Sequence, residues 1–281
     1  VSRPPMPVTR IAAQGRVGAI DLTWRLPGWE PLVDHFAIHA AEDHDVEITP
    51  ETIIGKTVYG RFTHDTLGPQ AETRHYRIVT VDAAGRRSRP SRPVRGVSAE
   101  SMTVRGRPYA QVGEFDSKSL ELALAPDRGQ QNYLATFPQG VDFRYGESDP
   151  AADWCYLHPG PRDRWAGNRA HTFRLRFDLA ARPTTDPGFV VWLIDTHATL
   201  AGTAAIAVNG RTATEVYFEG GATRGSLEGD ATVPGTALRP SFVELRLPAE
   251  YFAAGDNAID ITKHTGSWHA YDAVGVFDLA G

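Results

Sequence analysis

The chain has 281 residues, enough for two domains, and its 27 Gly and 20 Pro are scattered without period, the composition of many short elements joined by turns. Its net charge of −5 contains no block of like charge, which excludes a nucleic-acid or anionic-membrane footprint, and no apolar run is long enough for a membrane span. One cysteine, Cys155, excludes an internal disulfide, and lysines only at 56, 118 and 263 remove most candidates for Schiff-base chemistry.

The chain opens with a Pro-rich lead-in over residues 1–7, extended because the residue before each proline is kept out of the helical region. Val8–Ala12 reads as an edge strand. In Ala19–Trp24, Ile20, Leu22 and Trp24 share one face, the period of a half-buried strand. His35–Ala40 repeats this with Phe36 and Ile38. Glu42–Pro50 is a polar loop, and Ile53–Phe62 offers one or two short strands. His35, His39, His44, His64 and His75 follow no zinc spacing and read as surface or core residues.

Residues 73–91 run Thr-Arg-His-Tyr-Arg-Ile-Val-Thr-Val-Asp-Ala-Ala-Gly-Arg-Arg-Ser-Arg-Pro-Ser. This resembles the F strand, turn and G-strand start of a bacterial fibronectin type III module. Tyr76 stands at its core tyrosine, Val81–Gly85 at the strand end and turn, and Ser88, Pro90 and Ser91 at its exit. Trp24 stands at the B-strand tryptophan. The resemblance covers roughly residues 5–98 and implies a seven-stranded spacer that positions its neighbour. Residues 1–98 carry 13 basic and 11 acidic side chains, net +2, and the remainder 16 and 23, net −7, which fits two domains of different ancestry. The expected domains are 1–98 and 103–281, joined by a short segment over 98–108.

The second half begins with the short apolar Leu120–Leu124, then Gly140–Tyr145. Residues 143–167 form a long irregular stretch holding Trp154, Cys155, His158 and Trp165, broken by three prolines. His171–Leu179 alternates strictly. Phe189–Ile194 is apolar throughout, a middle strand covered on both faces. Ala204–Phe218 is a hairpin turning on Asn209-Gly210. A long Gly- and Thr-rich loop over 220–238 precedes the alternating Ser241–Leu247. A short helical turn follows, and then closing strands at Ala258–Thr262 and Ala273–Leu279, separated by a loop over 263–272. The fold class is therefore all-β: a fibronectin type III sandwich followed by a two-sheet jelly roll.

The second half is similar to the carbohydrate-binding-module-like third domain of family 4 rhamnogalacturonan lyases. The matching residues, in order, are Gly146, Asp153-Trp154, Tyr156, His158-Pro159, Trp165, Phe173–Phe177, Ala207–Gly210, Leu247–Ala249, Gly255–Ile259 and Tyr271-Asp272. Those lyases also place a fibronectin-like domain immediately before this one. Their large N-terminal catalytic domain has no counterpart here, so no catalytic residue is carried over. The resemblance implies a secreted, extracellular carbohydrate-binding accessory region of a polysaccharide-degrading enzyme, with a catalytic domain N-terminal to it as a partner.

Sugar binding needs aromatic faces for the C–H faces of the ring and polar groups for its hydroxyls. The segments 147–168 and 263–272 supply both. Trp165 and Trp268 are the expected platforms, and His158, Arg162, Asp163 and His269 the polar readers; each could instead cap an end of the sandwich. An acidic sugar would pair with Arg162 and Arg164. No cofactor is expected; a structural calcium held by Glu147, Asp149, Asp153 and Asp272 is the one candidate. Two other functions stay open. Asp149, Asp153, Asp163 and His158 could make the acidic 147–163 segment a glycosidase-like acid–base site. Alternatively, the jelly roll packs on a catalytic domain and binds no sugar.

Overall fold

The computed structural model describes residues 3–28, 32–126, 128–222 and 238–280. The chain forms two compact units, the first ending at Ser101 and the second beginning at Met102.

The first unit contains β1 (Thr9–Arg16), β2 (Ala19–Arg25), β3 (Val33–Ala41), β4 (Ile53–Thr57), β5 (Arg61–His64), β6 (Thr73–Asp82) and β7 (Val94–Val97). One sheet has the order β1-β2-β5 and the other β4-β3-β6-β7, the fibronectin type III arrangement. Its core is the set the alternation marks: Ile20, Leu22, Trp24, Phe36, Ile38, Tyr76 and Ile78. Trp24 meets Phe36 edge-on at 5.5 Å, and the Tyr76 hydroxyl bonds His64 Nδ1 at 3.0 Å. The turn after β6 closes on Asp82, whose carboxylate accepts from Ala84 N, Arg86 N and the Arg86 guanidinium. Ser88 and Ser91 hydroxyls then accept from the backbone of Thr80 and Ile78, which supply β6 with partners along the edge beyond its pairing with β7. His39 is a buried core histidine on Thr52 Oγ1.

The second unit begins with α1 (Met102–Arg105) and β8 (Arg107–Val112). It continues through α2 (Gly129–Thr136), β9 (Val141–Arg144), α3 (Pro150–Asp153), β10 (Leu157–His158), β11 (His171–Leu179) and β12 (Gly188–Thr196). Then come β13 (Thr203–Val208), β14 (Arg211–Tyr217), β15 (Ser241–Arg246), β16 (Gly255–Lys263) and β17 (His269–Asp278). One sheet runs β10-β17-β12-β15 with β8 on β17; the other runs β14-β13-β16-β11-β9. The core lies between them, built on Phe173, Leu175 and Phe177 of β11 facing Phe189, Val191 and Leu193 of β12. β12 is buried at every position, because Trp192 on its other face is covered by Phe115 and Phe242 at 5.4 and 4.7 Å. The hairpin turns at Asn209 (φ 50°) and Gly210 (φ 77°), the left-handed pair a tight antiparallel turn requires.

Three elements differ from the expectation. β8 lies within and beyond the segment read as a junction. α2 carries almost no apolar periodicity, so nothing in its sequence marks it. Residues 269–272 are strand, not loop, because β17 starts earlier and pairs both β10 and β12. Most of the long loop expected over 220–238, residues 223–237, lies outside the described residues.

Trp154 is fully buried, edge-on to Phe143, Phe173 and Tyr271 at 5.9, 5.4 and 5.4 Å, and its indole N–H has no partner among the described residues. Trp154→Ala is expected to cost about 3–5 kcal/mol in urea unfolding. Trp154→Phe should cost far less, since no hydrogen bond is lost. Equal losses for the two variants would contradict this packing.

Candidate functional site

The second unit carries a cleft of 540 Å³. Its floor is Leu157 of β10, Ala270 of β17, and Ile194 and Asp195 of β12, with Tyr156 and Trp268 just before two of these strands. One wall is the turn Ser117–Leu120, the other Pro126 and Gln130 at the start of α2, with Leu238 at the rim. Gly129 suits this wall: a Cβ there would come within 2.9–3.0 Å of Leu157 and Tyr156, so any larger residue would make these side chains shift. The lining combines two aromatic rings and an aliphatic floor with a few polar groups, the usual make-up of a small-molecule site.

The Asp195 carboxyl is held by the backbone N–H of Ala222 at 2.8 Å and of Arg239 at 3.4 Å. Burial raises its pKa, opposed by these donors. Lys118 is an exposed ammonium beside Asp116 at 3.1 Å. The wall that carries it is tied to β17, where the buried Asp272 accepts from Lys118 N at 2.8 Å. Burial pushes the Asp272 carboxyl up to about 7, with Asp116 and Glu121 adding to the shift against the Ser117 and Lys118 N–H donors. Its second oxygen has no partner among the described residues.

The expected site residues divide. Trp268 is half-buried and lines the cleft. Trp165 does not line it; it packs edge-on to Tyr133 of α2 at 5.9 Å, against the core. Arg162 and Arg164 are exposed and also outside the cleft lining.

Three of the expected polar readers have structural roles instead. His158 is fully buried, stacked on Phe173 at 3.8 Å, with Nδ1 on the Tyr271 hydroxyl and Nε2 on the His171 carbonyl, both at 2.9 Å. His269 is fully buried among His158, Tyr271 and Phe218. Asp163 is buried and accepts from Gly160 N and the Ser267 hydroxyl. For the two histidines the reason is the alternation of β10 and β17: where Leu157 and Ala270 face the cleft, the next residues face the core, whereas Asp163 is turned in by closing its own turn on Gly160 N. Tyr156, Asp195, Lys118 and Gln130 line the cleft and were not among the expected site residues; Lys118, for one, is brought there by its tertiary contact with Asp272.

The calcium candidates do not converge. Glu147 pairs with Arg144, Asp149 caps α3 at Ala151 N, Asp153 accepts from Asp149 N, and Asp272 holds the cleft wall. Among the described residues no three His, Cys, Asp or Glu side chains are grouped to hold a metal ion. The same caps occupy the acidic 147–163 segment, where Asp149 and Asp153 serve the first turn of α3 and Asp163 is turned inward.

Comparison with known proteins matches the family model CBM-like: Polysaccharide lyase family 4, domain III, over residues 110–276. A curated relative, rhamnogalacturonate lyase B of Emericella nidulans, is 40% identical over 60 residues, 19% of this chain and 9% of that protein. The match thus spans about a tenth of the relative's length. Among solved structures, a human fourth FNIII domain is 18% identical with a TM-score of 0.28, covering 36% of this chain and 82% of that one. A family 35 carbohydrate binding module from an environmental isolate is 14% identical with a TM-score of 0.28, covering 40% and 68%.

Asp272 supplies a pH prediction. A carboxyl whose folded pKa is raised contributes stability in acid and loses it as pH climbs from the ordinary carboxylate range near 3.8 through about 7. Asp272→Asn, which keeps an oxygen for Lys118 N, should therefore raise the urea midpoint relative to wild type at pH 8, and the gain should shrink toward pH 5. A gain independent of pH would refute the assignment.

Proposed function

This chain belongs to the CBM-like family of polysaccharide lyase family 4, domain III, and we propose that its second unit binds a polysaccharide in the Tyr156–Trp268 cleft without cleaving it. The observation that carries this reading is the lining itself. Two aromatic rings stand beside an aliphatic floor, as the C–H face of a sugar ring requires, and Asp195, Lys118, Ser117 and Gln130 offer acceptors and donors to its hydroxyls. Asp195 would accept hydroxyl protons, being already anchored by backbone donors; Lys118 and Gln130 would donate from opposite walls.

The first unit acts in this proposal as a spacer. The chain works as the accessory region of a secreted polysaccharide-degrading enzyme whose catalytic domain lies N-terminal to it. Rhamnogalacturonan is the first ligand to test, since the curated relative carries the name of a rhamnogalacturonate lyase. The acidic 147–163 segment is not favoured as a catalytic site, because its carboxylates cap backbone N–H groups. No helix among the described residues is long and apolar enough to cross a membrane.

Titration calorimetry of the intact chain against rhamnogalacturonan and other soluble polysaccharides, with new reducing ends assayed in the same samples, tests the proposal. Binding heat without new ends is expected. Trp268→Ala and Tyr156→Ala should each weaken binding about tenfold or more, equivalent to ~1.4 kcal/mol, while Trp165→Ala stays within about twofold. Binding that survives both cleft substitutions would move the site elsewhere; new chain ends would make the chain an enzyme.

A further inference from the structure

The cleft floor has a reverse side. β10, β17 and β12 lie side by side there, Leu157 opposite Ala270 and Ala270 opposite Asp195. One residue along, His158 is opposite His269, and His269 is opposite Thr196. Successive side chains of a strand face opposite ways, so the two histidines are the inner surface of the same three strands whose outer surface is the floor.

The inner surface is rich in groups that take up protons. His158 already has both ring nitrogens occupied, by the Tyr271 hydroxyl and the His171 carbonyl. Among the described residues His269 has no hydrogen-bond partner on either ring nitrogen, and its ring is enclosed by Phe218, His158 and Tyr271 at 4.7, 4.8 and 4.9 Å. Lys263 of β16 is fully buried beside them, its Nζ over the Phe218 ring at 4.7 Å and donating to the Ala201 carbonyl. Behind His158, His171 of β11 bonds the Tyr133 hydroxyl of α2 and the Ala166 carbonyl, with Arg169 nearby in charge. Cys155 lies close enough to Tyr271 and Tyr133 to affect both. Asp163 is a buried carboxylate facing this group, but its oxygens already accept from Gly160 N and Ser267.

We propose that His269 and His158, packed against Lys263 beneath the cleft, form an acid-sensitive latch whose protonation opens this end of the sandwich and dissolves the cleft floor. A proton on His269 would create two N–H donors with no acceptor among the described residues, beside an ammonium, in a fully buried site. A buried unpaired charge of this kind is relieved by opening to solvent. Burial holds both imidazoles well below their usual pKa, with the Lys263 charge adding to the effect. The same burial lowers Lys263 to about 7, so it is charged throughout the acid range. The sign follows: groups with depressed folded pKa values leave the closed form intact above the ordinary imidazole range near 6.5 and weaken it as pH falls below. The latch does not require the cleft's occupant to be a glycan.

Cys155 is the chain's only thiol, is buried, and lies two residues before Leu157, so it reports opening. The intact chain is labelled with a dipyridyl disulfide from pH 7.5 to 4, each rate divided by that of free cysteine in the same buffer, with far-UV circular dichroism on the same samples. In wild type, labelling at constant ellipticity should speed up about tenfold per pH unit below ~6. His269→Phe, which has similar bulk and breaks no hydrogen bond, should cut the acceleration at pH 5 by about tenfold. Lys263→Met, which removes the neighbouring ammonium and so leaves the folded imidazoles less depressed, should keep the onset, level off at a higher pH and reach a smaller total acceleration, and stands alone if the first variant fails to fold. Identical profiles in wild type and variants overturn the latch. So does labelling that rises only together with loss of ellipticity, because the strands would then be unfolding as a whole. Glycan titration plays no part in this readout, so failure of the binding proposal and failure of the latch are separate results.

Discussion

The cleft end of the second unit depends on one stacked pair. The His158 ring lies on Phe173 at 3.8 Å, and hydrogen bonds on both of its nitrogens leave it no freedom to turn. This pair joins the two sheets, since His158 belongs to β10 in one and Phe173 to β11 in the other. Trp154 packs edge-on to Phe173, and Tyr271 lies tilted against His158 and Phe173 at 5.9 and 5.7 Å. β10 is only two residues long, and strand pairing alone would hold it weakly; the stack keeps it on β17. With β10 fixed, Tyr156 and Leu157 are presented to the cleft.

A second constraint is the satisfaction of backbone N–H groups in the loops that close the sandwich. Buried or half-buried loop donors need acceptors, and this chain supplies carboxylates. Asp163 closes the 160–167 turn and bonds Ser267 of the loop before β17. Asp149 and Asp153 order the first turn of α3, Asp272 holds the wall over 117–118, and Asp195 anchors Ala222. In the first unit Asp82 does the same for its turn. The acidity of the 147–163 segment is thus mostly structural. Of these carboxylates only Asp195 lines the cleft.

The β-character, the strand periodicity of both sandwiches and the turn at Asn209-Gly210 were legible in the chain. Each depends on residues within a few positions of one another. Trp24, Tyr76 and Phe173–Phe177 are buried as their alternation demands. α2 was not legible, since its eight residues have no apolar face and it is held by contact with the 164–166 turn and with Tyr156 and Leu157. β8 escaped because its pairing partner lies more than 160 residues away, at the end of the chain.

For the candidate site, of the six residues expected from local sequence only Trp268 lines the cleft. An aromatic- and histidine-rich stretch marks the end of a sandwich where a site can form, and Trp268 does line the cleft. Whether a residue faces cleft or core is decided by strand register, and a one-residue slip in the pairing of β17 would invert it. The sequence by itself therefore determined two all-β units and the composition of their closing loops. Only the tertiary structure decided that His158, His269 and Asp163 turn inward while Tyr156, Asp195 and Lys118 meet Trp268, because those positions are brought together by pairing between strands far apart in the chain.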